Sequence, residues 1–106
     1  MLESQLQKKI IKTLEADGWY VVKHIQTNRN GFPDLQALKD GRCIFIEVKR
    51  PNGRTSDLQK HRLQQLTNKG FACYIINDLT QLHDITSNIR TDLPTIRPID
   101  YPDQQQ

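Results

Sequence analysis

Apolar side chains along this chain alternate between two spacings. Over residues 2 to 17, Leu6, Ile10, Ile11 and Leu14 recur at helical intervals, and Asp17-Gly18 supplies a stop. Residues 19 to 25, WYVVKHI, are β-rich, and the polar QTNRNGFP that follows carries loop punctuation. DLQALK is a short strand candidate, Asp40-Gly41 is a strong two-residue hairpin signal, and RCIFIEVK is the most hydrophobic strand, placed centrally in the sheet. RPNGRTS is a turn-rich loop. Ser56 then caps a helix over DLQKHRLQQLTNK that ends at Gly70. FACYII is a further buried strand. Because a helix connects it to the central strand, the two strands are expected to be parallel. A short last helix over residues 79 to 89, capped by Asp78, completes the order α-β-β-β-α-β-α. This order predicts an α/β fold, a mixed sheet flanked by helices. No internal repeat is visible.

The central strand raises a chemical problem. Residues two apart on a strand share a face, so Glu47 and Lys49 lie together while Ile44, Ile46 and Val48 pack on the other side. Burying either charge alone costs several kcal/mol. The Asp40-Gly41 turn pairs its flanking strands, which sets Asp34 opposite about residue 47. Two carboxylates that close repel one another. A divalent cation removes the conflict, and Mg²⁺ favours one or two carboxylates together with waters and phosphate oxygens. The competing explanation is a surface ion pair between Glu47 and Lys49, with Asp34 an unrelated turn residue, and Glu-x-Lys by itself is a weak motif.

Two polar residues at helix starts bear on that choice. At about 100° per residue, Glu3 aligns with Ile10 and Leu14, and Gln59 with Leu63 and Leu66, so each falls inside an apolar stripe. Polar groups placed there need partners. Each also has a local explanation. Glu3 suits the positive end of a helix dipole, and Gln59 completes a capping box in Ser56-Asp57-Leu58-Gln59. One side chain cannot easily serve as both cap and site residue.

Composition narrows the class. The chain has 106 residues, 36% hydrophobic and 25% charged, enough for one modest globular core. No apolar run approaches the roughly 20 residues of a membrane span, and MLESQLQKK lacks the features of a signal peptide, which predicts a cytoplasmic protein. Cys43 and Cys73 lie in strand-like runs and are read as reduced core residues. The scattered His24, His61 and His83, without a Cys-x-x-Cys, speak against zinc. The net charge of +3 permits a polyanionic partner without requiring one. Residues 90 to 106 contain three prolines and a Gln run and read as a tail, leaving residues 1 to 89 as the folded domain.

Glu3, Gly31-Phe32-Pro33-Asp34, Glu47-Val48-Lys49 and Gln59, in this order and on these elements, resemble the PD-(D/E)xK nuclease superfamily. More narrowly, the pattern is similar to the virus-type replication-repair nuclease (VRR-NUC) domain over about residues 1 to 87. The resemblance implies a restriction-endonuclease-like mixed sheet. It implies that Asp34, Glu47 and the Val48 backbone carbonyl bind Mg²⁺ or Mn²⁺, with Glu3 contributing through a water. It implies that Lys49 positions the attacking water or stabilises charge on the phosphate, and that Gln59 orients Lys49 or the water. A phage or bacterial origin is suggested by the resemblance only.

For the nucleic acid, Arg29, Arg50, Arg54, Lys60 and Arg62 flank the expected site, and Lys8, Lys9 and Lys12 lie off the apolar stripe of the first helix. Any one of them is an ordinary surface charge, but as a set they fit backbone-led binding without base reading. The resemblance extends to dimeric Holliday-junction resolvases, so the leading expectation is a homodimer that cuts branched DNA by two symmetric incisions. Leu93, Ile96, Ile99 and Tyr101 of the tail are candidates for the dimer interface. Two other expectations stand beside it: a flap-cutting or structure-blind endonuclease, and a non-catalytic nucleic-acid-binding domain that keeps the fold.

Overall fold

A computed structural model gives the fold and describes residues 1–88. The chain runs α1 (Glu3–Ala16), β1 (Tyr20–Lys23), β2 (Leu35–Lys39), β3 (Arg42–Val48), α2 (Asp57–Asn68) and β4 (Ala72–Ile76), then a single 3₁₀ turn (Leu79–Gln81) and α3 (Leu82–Asn88). The sheet order is β1-β2-β3-β4. β1–β2 and β2–β3 pair antiparallel, and β3–β4 pair parallel through the α2 crossover. This is the mixed α/β sheet expected from the sequence, with β3 in the interior. The end of the last helix at residue 89 and the whole tail of residues 90 to 106, with its interface candidates Leu93, Ile96, Ile99 and Tyr101, lie outside the described residues.

The two faces of the sheet differ in kind. On one, Leu6, Ile10 and Leu14 of α1 and Leu82 and Ile85 of α3 pack on Leu35, Ala37, Ile44, Ile46, Val48 and Ile76. This is the core, and Trp19 closes one end of it. The other face is aromatic and polar. Phe45 meets Phe32 and Phe71 edge-on, at centroid separations of 5.5 and 5.7 Å. Gln36 donates to the Cys43 thiol at 3.3 Å. Cys43 and Cys73 are half-buried free thiols on this side and do not belong to the aliphatic core. α2 covers this face lightly, and none of its side chains is fully buried.

The hairpin turn sets the register. Asp40 (φ 51°) and Gly41 (φ 77°) both adopt positive φ, the signature of a type I′ turn whose twist suits two-residue hairpins. It pairs Lys39 with Arg42 and, four steps on, Leu35 with Ile46. Asp34 and Glu47 follow as the next opposed positions, as the turn predicts. Observed strands are shorter than the apolar runs. Trp19 turns into the core before β1, and Ile25 after it is exposed.

Ile10 is fully buried in the core, so Ile10→Ala should lower the unfolding free energy by about 2–5 kcal/mol. Urea denaturation measures this; a loss below about 1 kcal/mol would mean that the α1 face of the core is not packed as described.

Candidate active site

Glu47 is the buried charge. It is 1% exposed, inside a strand otherwise occupied by Ile44, Phe45, Ile46 and Val48. One oxygen, Oε2, is held by two donors: Lys49 Nζ at 3.1 Å and Gln59 Nε2 at 2.7 Å. The Asp34 backbone N–H also favours the ionised carboxylate, without meeting hydrogen-bond geometry at the other oxygen. That oxygen, Oε1, is buried and has no hydrogen-bond partner. A buried polar atom in this state carries a free-energy cost and calls for a partner such as a water or an ion.

Asp34 stands across from it at the head of β2. Its Oδ2 accepts the Val48 backbone N–H at 2.8 Å, which ties the start of β2 to the end of β3. Burial pushes the Asp34 carboxyl above its usual range, despite the opposing pull of the Val48 N–H and the Lys49 charge. Burial also pushes Glu47 up, and the Asp34 charge adds to it, while Lys49 pulls the other way. For both groups desolvation outweighs the ammonium. Lys49 is itself fixed at the backbone, where its N–H donates to Ile76 of β4 at 2.9 Å.

Glu3 and Gln59 reach the same end of the sheet by different routes. Glu3 is exposed, which corrects its expected place inside the apolar stripe of α1. It sits in the first turn of α1, and its carboxylate accepts the Arg50 backbone N–H, just past the end of β3, over a long 3.4 Å. From there its charge still acts on Asp34. Gln59 combines the helix cap with a contact to Glu47. Its Oε1 accepts the Ser56 N–H at 3.0 Å, its own N–H donates to Ser56 Oγ at 3.1 Å, and its Nε2 holds Glu47. The two ends of one amide do separate work, so the capping box aims the side chain at Glu47.

Comparison with known proteins gives the family and the fold. The model of the VRR-NUC domain family matches residues 1–77, which carry all four of these side chains and Lys49. The chain belongs to the VRR-NUC domain family. A solved structure described as a VRR_NUC domain is 26% identical, with a TM-score of 0.72 over 81% of this chain and 95% of that one. A second, a VRR_NUC domain protein, is 18% identical with a TM-score of 0.65 over 86% of this chain and 87% of that one, and shares the fold. Among curated proteins, "Putative nuclease p44" of Acyrthosiphon pisum secondary endosymbiont phage 1 is 31% identical over 58 residues, 54% of this chain. The matched segment spans 62% of that relative's length.

In this VRR-NUC domain the predicted cationic residues separate into two kinds. Arg29, Arg50, Arg54 and Lys60 are exposed, as are Lys8, Lys9 and Lys12 on α1. Arg62 is half-buried and committed to structure. Its Nε donates to the Asn30 carbonyl at 2.8 Å, and its Nη1 to Gln65 at 3.0 Å. It therefore pins the loop of residues 26–33 to α2, a duty its position in the sequence does not reveal. Among the described residues no three His, Cys, Asp or Glu side chains converge as metal ligands, and no helix is long and apolar enough to cross a membrane.

His24 was not anticipated. Its backbone N–H donates to the Asp34 carbonyl at 2.8 Å, and its ring Nδ1 lies 2.9 Å from the Pro33 carbonyl. The imidazole packs edge-on to Phe32 at 5.0 Å and approaches Gln36 Oε1 at 3.1 Å. It thus clamps the two peptide units that flank Asp34. The available signal was parity, since His24 shares a face with Val22 and continues the pairing of β1 with β2. The register of that pair depends on a loop whose shape the sequence does not set.

The raised carboxyls predict the pH response of the metal-free protein. Between their ordinary values of 3.8 and 4.5 and the raised folded values, the folded chain binds more protons than the unfolded chain. Stability should therefore fall as pH rises through that window. Glu47→Gln removes the buried charge and should raise the Tm of the metal-free protein at neutral pH and flatten its pH dependence. Thermal melts in EDTA from pH 4 to 8 check this; a lower Tm for Glu47→Gln at pH 7 would contradict it.

Proposed function

We propose that this VRR-NUC protein is a divalent-metal-dependent endonuclease that hydrolyses phosphodiester bonds in branched DNA as a homodimer. The observation that carries the reading is the partnerless Oε1 of Glu47, 1% exposed and opposite a second carboxylate whose pKa is also raised. A cation supplies what this arrangement lacks. The donor set is hard oxygen, suited to Mg²⁺ or Mn²⁺: Asp34, Glu47 and the Val48 carbonyl, with Glu3, whose charge acts on Asp34, contributing through a water. A bound ion would supply Lewis acidity toward a phosphate oxygen and acidify a nearby water.

The chain's own groups do the rest. Gln59 holds the Glu47 carboxylate in one orientation, which leaves Oε1 as the oxygen that faces a ligand. Lys49 keeps an ammonium within 3.1 Å of Glu47, where it can orient the attacking water and offset the charge that develops on the phosphate. The Val48 N–H fixes the Asp34 carboxylate by a single hydrogen bond. Arg29, Arg50, Arg54 and Lys60 are exposed cations that flank the site residues in sequence and suit the phosphate backbone rather than base edges.

The preference for branched DNA and for a dimer follows from economy. The described residues carry one site and no separate base-reading module, whereas two symmetric cuts need two sites related by a two-fold axis. The test is cleavage of labelled four-way junction, flap, duplex and single-stranded DNA in Mg²⁺, Mn²⁺ or EDTA. Paired, metal-dependent cuts in the junction are expected, and Lys49→Ala should slow them by about 10²–10³-fold. Equal cutting of all branched forms would keep the nuclease and remove the junction preference. Tight junction binding without cutting in any metal would point to a non-catalytic binding domain.

A further inference from the structure

A crevice of about 260 Å³ runs beside the site, between α2 and the loop of residues 26–33. Arg29, Phe32, Arg62, Gln65, Leu66 and Lys69 line it, three of them cationic and none acidic. Two apolar side chains, Phe32 and Leu66, lie among the cations. Their surroundings hold the walls in place. Phe32 is wedged edge-on between His24 and Phe45 at 5.0 and 5.5 Å. The guanidinium of Arg62 is fixed by Asn30 and Gln65. The loop also meets α2 so closely at Gly31 (φ 77°) that a Cβ there would stand 2.8 Å from Leu58 Cγ.

The crevice shares walls with a hollow that reaches the candidate active site. Arg29 and Phe32 also line a second hollow, of about 270 Å³, whose walls include Asp34. Gln59, Arg62 and Leu66 of α2 and its C-cap Lys69 follow at helical spacing, so one helix face leads from Glu47 to the crevice. We infer that this crevice holds one unpaired nucleotide of the strand cut at Asp34 and Glu47. Its base stacks against Phe32, Leu66 and the Arg62 plane, and its phosphates meet Arg29 and Lys69. A volume of about 260 Å³ accommodates a single flat ring. Rigid aromatic and guanidinium planes are the usual platforms for splayed-out bases. Cations without a competing carboxylate match the backbone charge. The inference rests on the nuclease reading, and it identifies unpaired nucleotides next to the cut as what distinguishes branched DNA from duplex.

The test is DNA binding by the full chain in EDTA, where no cutting occurs. A forked DNA with unpaired arms and a fully paired duplex of equal length are compared by fluorescence anisotropy over a salt series. Leu66→Trp, which fills the crevice, should weaken fork binding roughly tenfold and duplex binding by less than about twofold. Lys69→Ala should reduce the salt slope of fork binding by about 0.7 and leave the duplex slope unchanged. If Leu66→Trp fails to fold, Lys69→Ala, at an exposed side chain, carries the same comparison. Equal losses on fork and duplex, or no loss on either, would overturn the crevice assignment while leaving the nuclease reading intact. A wild-type protein that binds neither DNA would overturn both.

Discussion

A carboxylate buried inside a hydrophobic strand must be compensated, and the compensation of Glu47 organises this end of the molecule. One oxygen is satisfied by Lys49 and Gln59, contributed by β3 itself and by the first turn of α2. That requirement fixes where α2 starts, since the Ser56 capping box is what points Gln59 at the strand. The other oxygen is left without a partner. Together with Asp34, it makes the ligand-free site a place of excess buried negative character, against which even an adjacent ammonium is outweighed by desolvation. Stability is given up locally, and on the proposed reading a bound cation would restore it.

The division of the sheet into two faces makes this possible. The aliphatic face under α1 and α3 supplies the stability, with Ile10, Leu14, Leu35 and Ile46 fully buried. The opposite face therefore need not be close-packed. It carries the Phe32, Phe45 and Phe71 row, the Gln36 and Cys43 pair, and the clamp of His24 on the Pro33 and Asp34 peptides. α2 rests on this face without burying any side chain fully, which leaves room for the crevice beside the loop.

Local signals in the sequence carried far where short-range physics decides the outcome. The Asp40-Gly41 dipeptide can adopt the two positive φ values of a tight hairpin, so the opposition of Asp34 and Glu47 was predictable by counting from the turn. The apolar stripe of α1 was visible for the same kind of reason. Glu3 was misplaced because helical angle says nothing about where the sheet ends; it shares the stripe's direction but lies beyond the surface that would bury it. Gln59 was read as having to choose between cap and site because a side chain was counted as one partner, whereas an amide offers a donor and an acceptor at opposite corners. Arg62 and His24 escaped because their partners, Asn30 and Pro33, are set by a loop shape that no local pattern encodes.

The central claim is that Asp34 and Glu47 together form a divalent cation site, and the most direct measurement is calorimetric titration of the metal-free protein with Mn²⁺, beside Asp34→Asn and Glu47→Gln. Saturable binding to the native protein, accompanied by a rise in Tm and abolished in both variants, is the predicted result. Binding that survives in either variant, or no binding to the native protein in the millimolar range, would contradict the account and leave Glu47 and Lys49 as a structural ion pair.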